Sequence, residues 1–247
     1  MKFIYLFIYL FSSILTSQNN HVDSNDMKQG EWKLYFPYLD SVVSELGSFV
    51  NDLEEGVWIK YHDNGKVREI SFYKDGKLDG YRLSISKKGQ LNDQEFFLNG
   101  QYHGSQTYYY DNSRKKMECH YIQGVKHGDF LKYYSNGNIQ ESITYSSDKK
   151  NGYAKWYFDD KSMSMQYTYK DNMIIDTVYA YYRNGQIKST YVYENNERNG
   201  ECVQYAVSGL PLSKGMYKND QKTGSWCDYD SLGFKLNCVK YQNGVLK

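Results

Sequence analysis

The chain is short of the residues that usually build a protein interior. Its mean hydropathy is −0.77, and Leu, Ile and Val are too few for a conventional buried core. Proline is nearly missing, at 2 in 247 residues. There is no Cys-x-x-Cys, so the four cysteines, Cys119, Cys202, Cys227 and Cys238, match no metal or redox spacing. Four scattered thiols make no disulfide framework in a chain of this size. The expectation is therefore free thiols, buried or half-buried. One alternative stays open, because Cys227 and Cys238 fall on the two arms of a single predicted hairpin.

An excess of one charge is also lacking. Lys and Arg number 30 against 29 Asp and Glu, a net charge of +1, with no long run of either sign. A dedicated nucleic-acid footprint needs a clustered basic face, so no nucleic-acid partner is expected. The longest apolar run, Phe3 to Leu15, is broken only by Ser12 and Ser13. It is shorter than the roughly 20 residues of a membrane-spanning helix. Preceded by Met1-Lys2 and followed by Thr16, Ser17, Gln18, Asn19 and Asn20, it reads as a secretory signal peptide over residues 1–17, cleaved after Ser17, with an uncleaved membrane anchor as the alternative. No cysteine follows it, so no lipid anchor is indicated. The expected location is outside the cytoplasm, in the periplasm, the cell envelope or the medium. Residues 18–29 read as a linker.

What the chain does have is tyrosine, 28 of them, with 20 glycines and 17% aromatics. Tyrosine has a large apolar ring with a polar tip and suits a half-wet, strand-rich interior. These residues recur in register. Gly56 is followed at steps of 24 by Gly80, Gly104, Gly128, Gly152, Asp176, Gly200 and Gly224, and preceded at a step of 26 by Gly30. Residues 30–247 thus divide into nine units, starting at 30, 56, 80, 104, 128, 152, 176, 200 and 224. Five places into the units come Tyr35, Tyr61, Ile85, Tyr109, Tyr133, Tyr157, Tyr181, Tyr205 and Tyr229. A first turn signal lies at Gly65, Gly137 and Gly185, with Ser113 and Lys161 as departures. An aromatic stands near the end of every unit, from Phe49 and Tyr73 to Tyr241. A second turn signal follows it at Asp52, Gly76, Gly100, Gly124, Asp148, Asn172, Asn196, Asp220 and Gly244.

Asp63-Asn64-Gly65 and its counterparts are tight-turn signatures. Gly, Asn and Asp at the second turn tolerate a left-handed backbone. Each unit is then strand, turn, strand, turn. Both connections are too short for a crossover, so neighbouring strands are antiparallel. The predicted fold is all-β: tandem 24-residue β-hairpins in one elongated antiparallel meander of roughly eighteen strands. Parity across the hairpin predicts that Ile59, Tyr61, Val67 and Tyr73 share the buried face. The core would then be a ladder of the tyrosines from Tyr61 to Tyr229, held by stacking neighbours.

The pattern Gly-x-Trp-x-x-Tyr-x-x-Asn-Gly, then Tyr-x-x-Gly-x-x-x-Gly, resembles the MORN repeat, and more closely the bacterial variant called the YwqK family. Gly56, Trp58, Tyr61, Asn64, Gly65, Tyr73, Gly76 and Gly80 carry the match, which extends over residues 30–247. Departures at Ile85, Ser113, Lys161 and Asp176 imply distortion in the units at 80, 104, 152 and 176. The resemblance implies an antiparallel repeat sheet and a role in membrane apposition, phospholipid contact or protein scaffolding. Bacterial relatives are often labelled antitoxin-like.

No catalytic, cofactor-binding or metal-binding residues emerge. His103 and His127 occupy equivalent places about 9.5 Å apart, too far for one zinc ion with bonds of about 2 Å. No phosphate-binding Gly loop precedes a helix, because no helix is predicted. The reading is a non-enzymatic, exported protein that binds a protein partner. The alternatives are toxin neutralisation by binding, and contact with phospholipid or cell-wall glycan.

Overall fold

The structure, a computed structural model, describes residues 20–39 and 41–247; the expected signal segment 1–17 lies outside them. They form one antiparallel sheet of 21 strands, with no helix among the described residues. Eighteen strands of six to nine residues are the two arms of the nine units. The other three, His21–Val22, Gln101–Tyr102 and Val245–Leu246, are two residues long. Each long strand pairs with its neighbours in sequence, as the short turns require. The sheet is an all-β meander of hairpin repeats.

Residues 18–29 were expected as a linker, yet part of this stretch belongs to the sheet. His21 and Val22 pair with Gln29 and Lys28, and the first arm runs Lys28–Tyr35. The Asn20 side chain bonds both the N–H and the C=O of Lys33, covering an edge that would otherwise be bare.

Both turn types are left-handed where the sequence calls for it. Gly65 and Gly137 have φ of 78° and 92°, and Ser113 and Lys161 adopt 62° and 75° at the same place. At the second turn the side chain does more than tolerate the backbone. The N–H of Asp148 donates to the Lys126 carbonyl (2.9 Å), and its carboxylate accepts the Lys126 N–H (2.8 Å). Asn172, Asn196 and Asp220 likewise accept a backbone N–H of the preceding unit, and Asp52 accepts that of Lys28, just ahead of the first unit. Gly76, Gly100 and Gly124 keep only the backbone half of this link. So the second turn ties each unit to the one before it.

Of the units expected to be distorted, only that at 104 is broken, and not at its departing residue. Its first arm splits at His103 into Gln101–Tyr102 and Gly104–Tyr109. The buried Gln106 fills the gap: its Oε1 accepts the Phe96 N–H (2.9 Å) and its Nε2 donates to the Phe96 carbonyl (3.0 Å). Asp176 takes the φ of the glycines it replaces, 65°.

The buried face is not the predicted one. Each hairpin carries a β-bulge at the start of its second arm: Tyr61 faces Val67, while Lys60 faces Glu69. The extra residue inverts the alternation, so parity carries Tyr73 to the face opposite Tyr61. Trp58, Lys60, Glu69, Ser71 and Tyr73 share one side; Lys60 pairs with Glu69, and the Tyr73 ring meets Trp58 at 6.2 Å. The core is a spine of one residue per strand along this side. It pairs Trp58 with Ser71, Phe130 with Ile143, Cys202 with Gly215 and Trp226 with Val239. Ala154 and Ser71 are 0% exposed and Ile143 2%. The tyrosines Tyr61, Tyr109, Tyr133, Tyr157, Tyr181, Tyr205 and Tyr229 are only half-buried, on the other side. Several large spine residues face small ones, as Trp58 faces Ser71 and lies over Gly47, and Trp226 lies over Gly215.

Cys227 and Cys238 form a disulfide across the last hairpin, where they are directly paired. The free-thiol expectation fails there because the register brings their Cα atoms within 4.1 Å. Cys119 and Cys202 are free and buried in the spine.

Candidate functional site

The spine face divides into columns that run across the strands. Beside the spine, toward the second turns, lies the column of end-of-unit aromatics. These were expected to fill gaps between the other tyrosines, but they pack against the spine: Phe49 on Trp58 at 5.0 Å, Tyr217 on Trp226 at 5.1 Å, Tyr145 on Phe130 at 6.2 Å. Their cross-strand partners are cations in the C-terminal half: Tyr121 faces Lys126, Tyr145 Lys150, Tyr193 Arg198 and Tyr217 Lys222. The Lys126 ammonium stands over Tyr145 at 4.8 Å, Lys150 over Tyr169 at 5.1 Å and Lys222 over Trp226 at 4.2 Å. Such cation–ring contacts hold the side chains upright at little cost in hydration. Arg198, over Tyr217 at 4.1 Å, is also paired with Asp220 at 2.7 Å.

Mid-array, the face opens into a groove of about 430 Å³ lined by Trp156, Ser164, Met165, Tyr167, Tyr169 and Ile174. It forms because Ala154 is small where neighbouring units carry Phe130 and Val178, so the Trp156 and Tyr167 rings lean together at 5.1 Å. Tyr167 stacks on Tyr169 at 6.0 Å. Burial pushes the phenols of Tyr167, Tyr169 and Tyr193 up, so all stay protonated donors near neutrality. Tyr121 is pushed up to about 12, by burial first.

A second cluster is closed. The Glu95 carboxylate is 3% exposed; it is paired with Arg82 and accepts the hydroxyls of Tyr102 (2.8 Å) and Tyr108 (3.0 Å). Burial raises the Tyr108 phenol far above its ordinary value. With its acceptors filled by protein donors, this cluster substitutes for an aromatic in the spine and offers no open position to a ligand. The Cys119 and Cys202 thiols are raised by burial, which disfavours the reactive thiolate.

On the opposite face, Tyr133 donates to Glu118 and Tyr179 stacks on Tyr181 at 6.3 Å. Gly65, Gly137 and Gly185 lie at exposed first turns, and Gly76, Gly100 and Gly124 at second turns, away from the groove. One ladder was missed in the sequence. Tyr110, Tyr134 and Tyr182 each donate a hydroxyl to the carbonyl of Tyr133, Tyr157 and Tyr205, at 2.7, 2.8 and 2.7 Å. His62 reaches the Ile85 carbonyl in the same way at 2.8 Å. The doublets Tyr109-Tyr110, Tyr133-Tyr134 and Tyr181-Tyr182 were the signal available. Among the described residues, no group of three or more His, Cys, Asp or Glu is placed to hold a metal ion.

The family model described as MORN repeat variant matches residues 54–75, 126–147 and 177–195. Each match falls on a hairpin and its flanking turns. Repeats of this kind are generally associated with binding, to membranes or to proteins. No curated protein matches the chain. Among solved structures, the one titled "Crystal Structure of TcdB2-TccC3-Cdc42" aligns over 82% of this chain and 15% of that chain, at 12% identity and a TM-score of 0.16. The chain thus spans only about 15% of the length of that structure, and a likeness this slight carries no argument about fold or function.

Proposed function

We propose that this is a non-catalytic binding protein whose spine face receives a protein partner. One observation carries the reading: the groove of Trp156, Met165, Tyr167, Tyr169 and Ile174 is open, aromatic and rimmed by upright donors. Aromatic rings over a rigid sheet give contact area at low conformational cost, which is how binding hot spots are built. Repeat sheets extend such a surface along many units. Scaffolding and neutralisation of a toxin are both uses of that surface. We place the protein outside the cytoplasm. The Phe3–Leu15 segment supports this, and so does the Cys227–Cys238 bridge, since disulfides persist in oxidising compartments.

The test is capture from the native cell envelope by the intact protein, compared with two variants. Trp156→Ala/Tyr169→Ala removes groove rings. Tyr153→Ser removes a ring of the opposite face that is 59% exposed. The reading expects a specific protein to be lost with the first variant and kept with the second. Capture unchanged by the groove variant, or lost only with Tyr153→Ser, puts the binding surface elsewhere.

A further inference from the structure

The cation column beside the groove points to the chemistry of the partner segment. Lys126, Lys150 and Lys222 have no ion pair among the described residues; each ammonium rests on aromatic rings alone. Lys126 is held by three, Tyr121 at 5.8 Å, Phe130 at 5.6 Å and Tyr145 at 4.8 Å. Between the cations stand the hydroxyls of Tyr145, Tyr169, Tyr193 and Tyr217, none hydrogen-bonded to another described residue. The contrast with Tyr110, Tyr134 and Tyr182, whose hydroxyls are all taken by carbonyls, is internal to the same repeat. The column therefore offers free hydroxyl donors and three ammonium groups without an ion pair, while the Glu141 carboxylate acts on Tyr145 and Tyr169 from beside it. In the N-terminal half Lys28 holds the same position, over Trp32 at 5.3 Å and Phe49 at 4.7 Å, but Glu54, Leu78 and Tyr102 follow it, so the cations recur over successive units only from Lys126 onward.

Equivalent residues of successive units lie two strand spacings apart, about 9.5 Å. A polyproline II chain advances about 9.3 Å in three residues and returns to the same face. We propose that the column from Lys126 to Lys222 receives an extended acidic segment of the partner, running across the strands with acidic side chains spaced by multiples of three residues, opposite Lys126, Lys150 and Lys222. Ile174 takes the place of a cation in one unit, and Asp220 occupies Arg198, so the segment has three charged anchor points. This inference rests on the protein-binding reading and adds to it the character of the bound segment.

The probe is a labelled peptide of repeating Glu-Pro-Pro, followed by fluorescence anisotropy with the intact protein. Its control has the same composition with the Glu residues grouped at one end. The regular peptide should bind more tightly, and binding should weaken with added salt. Lys126→Gln/Lys150→Gln/Lys222→Gln should weaken it by about tenfold, the sum of three partly exposed charge pairs. The corresponding triple Arg variant, which keeps charge and ring contact, should retain it and so exclude loss through misfolding. Lys115→Gln/Lys188→Gln, outside the column, should change nothing. Equal binding of both peptides, or a triple Gln variant that binds like the parent, overturns the proposal. So does retention on phosphatidylglycerol vesicles or alginate beads with the peptides ignored, which would assign the column to a membrane or a polysaccharide. If the peptides fail while the groove-dependent capture persists, this inference falls and the protein-binding reading stands.

Discussion

The indole of Trp58 lies flat on Gly47, the residue eleven places before it, on the adjacent strand. A Cβ built on Gly47 would sit 2.2 Å from the Trp58 ring atoms. The arrangement recurs at the other end of the array, where Gly215 meets Trp226 at the same 2.2 Å. In both, the indole N–H donates to a backbone carbonyl, Ser48 and Met216 respectively, which fixes the ring over the glycine. Gly47→Ala should therefore destabilise by about 1–3 kcal/mol through overpacking. In a Trp58→Ala background the same change should be nearly neutral, because the two act on one contact. Chemical denaturation of the single and double variants measures this, and additive losses would show that the indole does not rest there.

The first turns allow a paired test. Gly137 has φ 92° with only ordinary contact to the Arg114 side chain, so Gly137→Val should cost about 1 kcal/mol or more from backbone strain alone. Lys161 occupies the equivalent place at φ 75° and bears that strain already. Lys161→Gly should stabilise by up to about 1 kcal/mol. Opposite shifts in the melting temperature are expected, and shifts of like sign would mean the two turns differ in shape.

Period and turn chemistry made the meander legible in the sequence, because Gly, Asn and Asp mark left-handed positions wherever they stand. Which face is buried was not legible. It depends on a single extra residue, Arg68 in the unit at 56, which bulges between the partners of Lys60 and Tyr61. No residue type announces that bulge. The sequence also gave prominence to the regular tyrosines. The spine residues Trp58, Arg82, Gln106, Phe130, Ala154, Val178, Cys202 and Trp226 share a position but no chemistry. They are selected by fit to their neighbours, and such fit has no signature in one unit. The groove follows from the same cause, since Ala154 matters only beside Trp156 and Tyr167.

Tyr133 and Glu118 supply a pH test. Burial alone would raise the Glu118 carboxyl, but the bonds from Lys115 and Tyr133 outweigh it and hold the group below the usual Glu range. A carboxyl lowered in the folded state adds stability above its unfolded pKa, near 4.3, and loses it as pH falls through the folded value. Tyr133→Phe should thus cost about 1 kcal/mol at neutral pH. The difference between parent and variant should shrink below about pH 4 as Glu118 protonates. A constant difference across that range would separate the stability of Tyr133 from the charge on Glu118.

The Cys227–Cys238 bridge sits where the array is weakest. The last long strand, Lys235–Gln242, has a long neighbour on one side only, and Val245–Leu246 covers just its end. Leu232, Phe234 and Leu236 are 71%, 68% and 67% exposed there, so little apolar burial holds the hairpin. In a linear repeat each unit is stabilised by its neighbours, and a terminal unit with one neighbour frays first. Closing a short loop by a disulfide removes unfolded-state freedom worth about 2–3 kcal/mol. Cys227→Ser/Cys238→Ser should therefore leave the central units unchanged and raise amide exchange across residues 221–246. The loss should stop within about one unit of the end, because the Trp226 indole and its carbonyl bond to Met216 still anchor the first arm of the hairpin. Hydrogen exchange resolved by residue tests both statements. Protection unchanged in the last hairpin would mean that the neighbouring unit alone secures it, and exchange rising equally in every unit would mean that the array unfolds as one cooperative body.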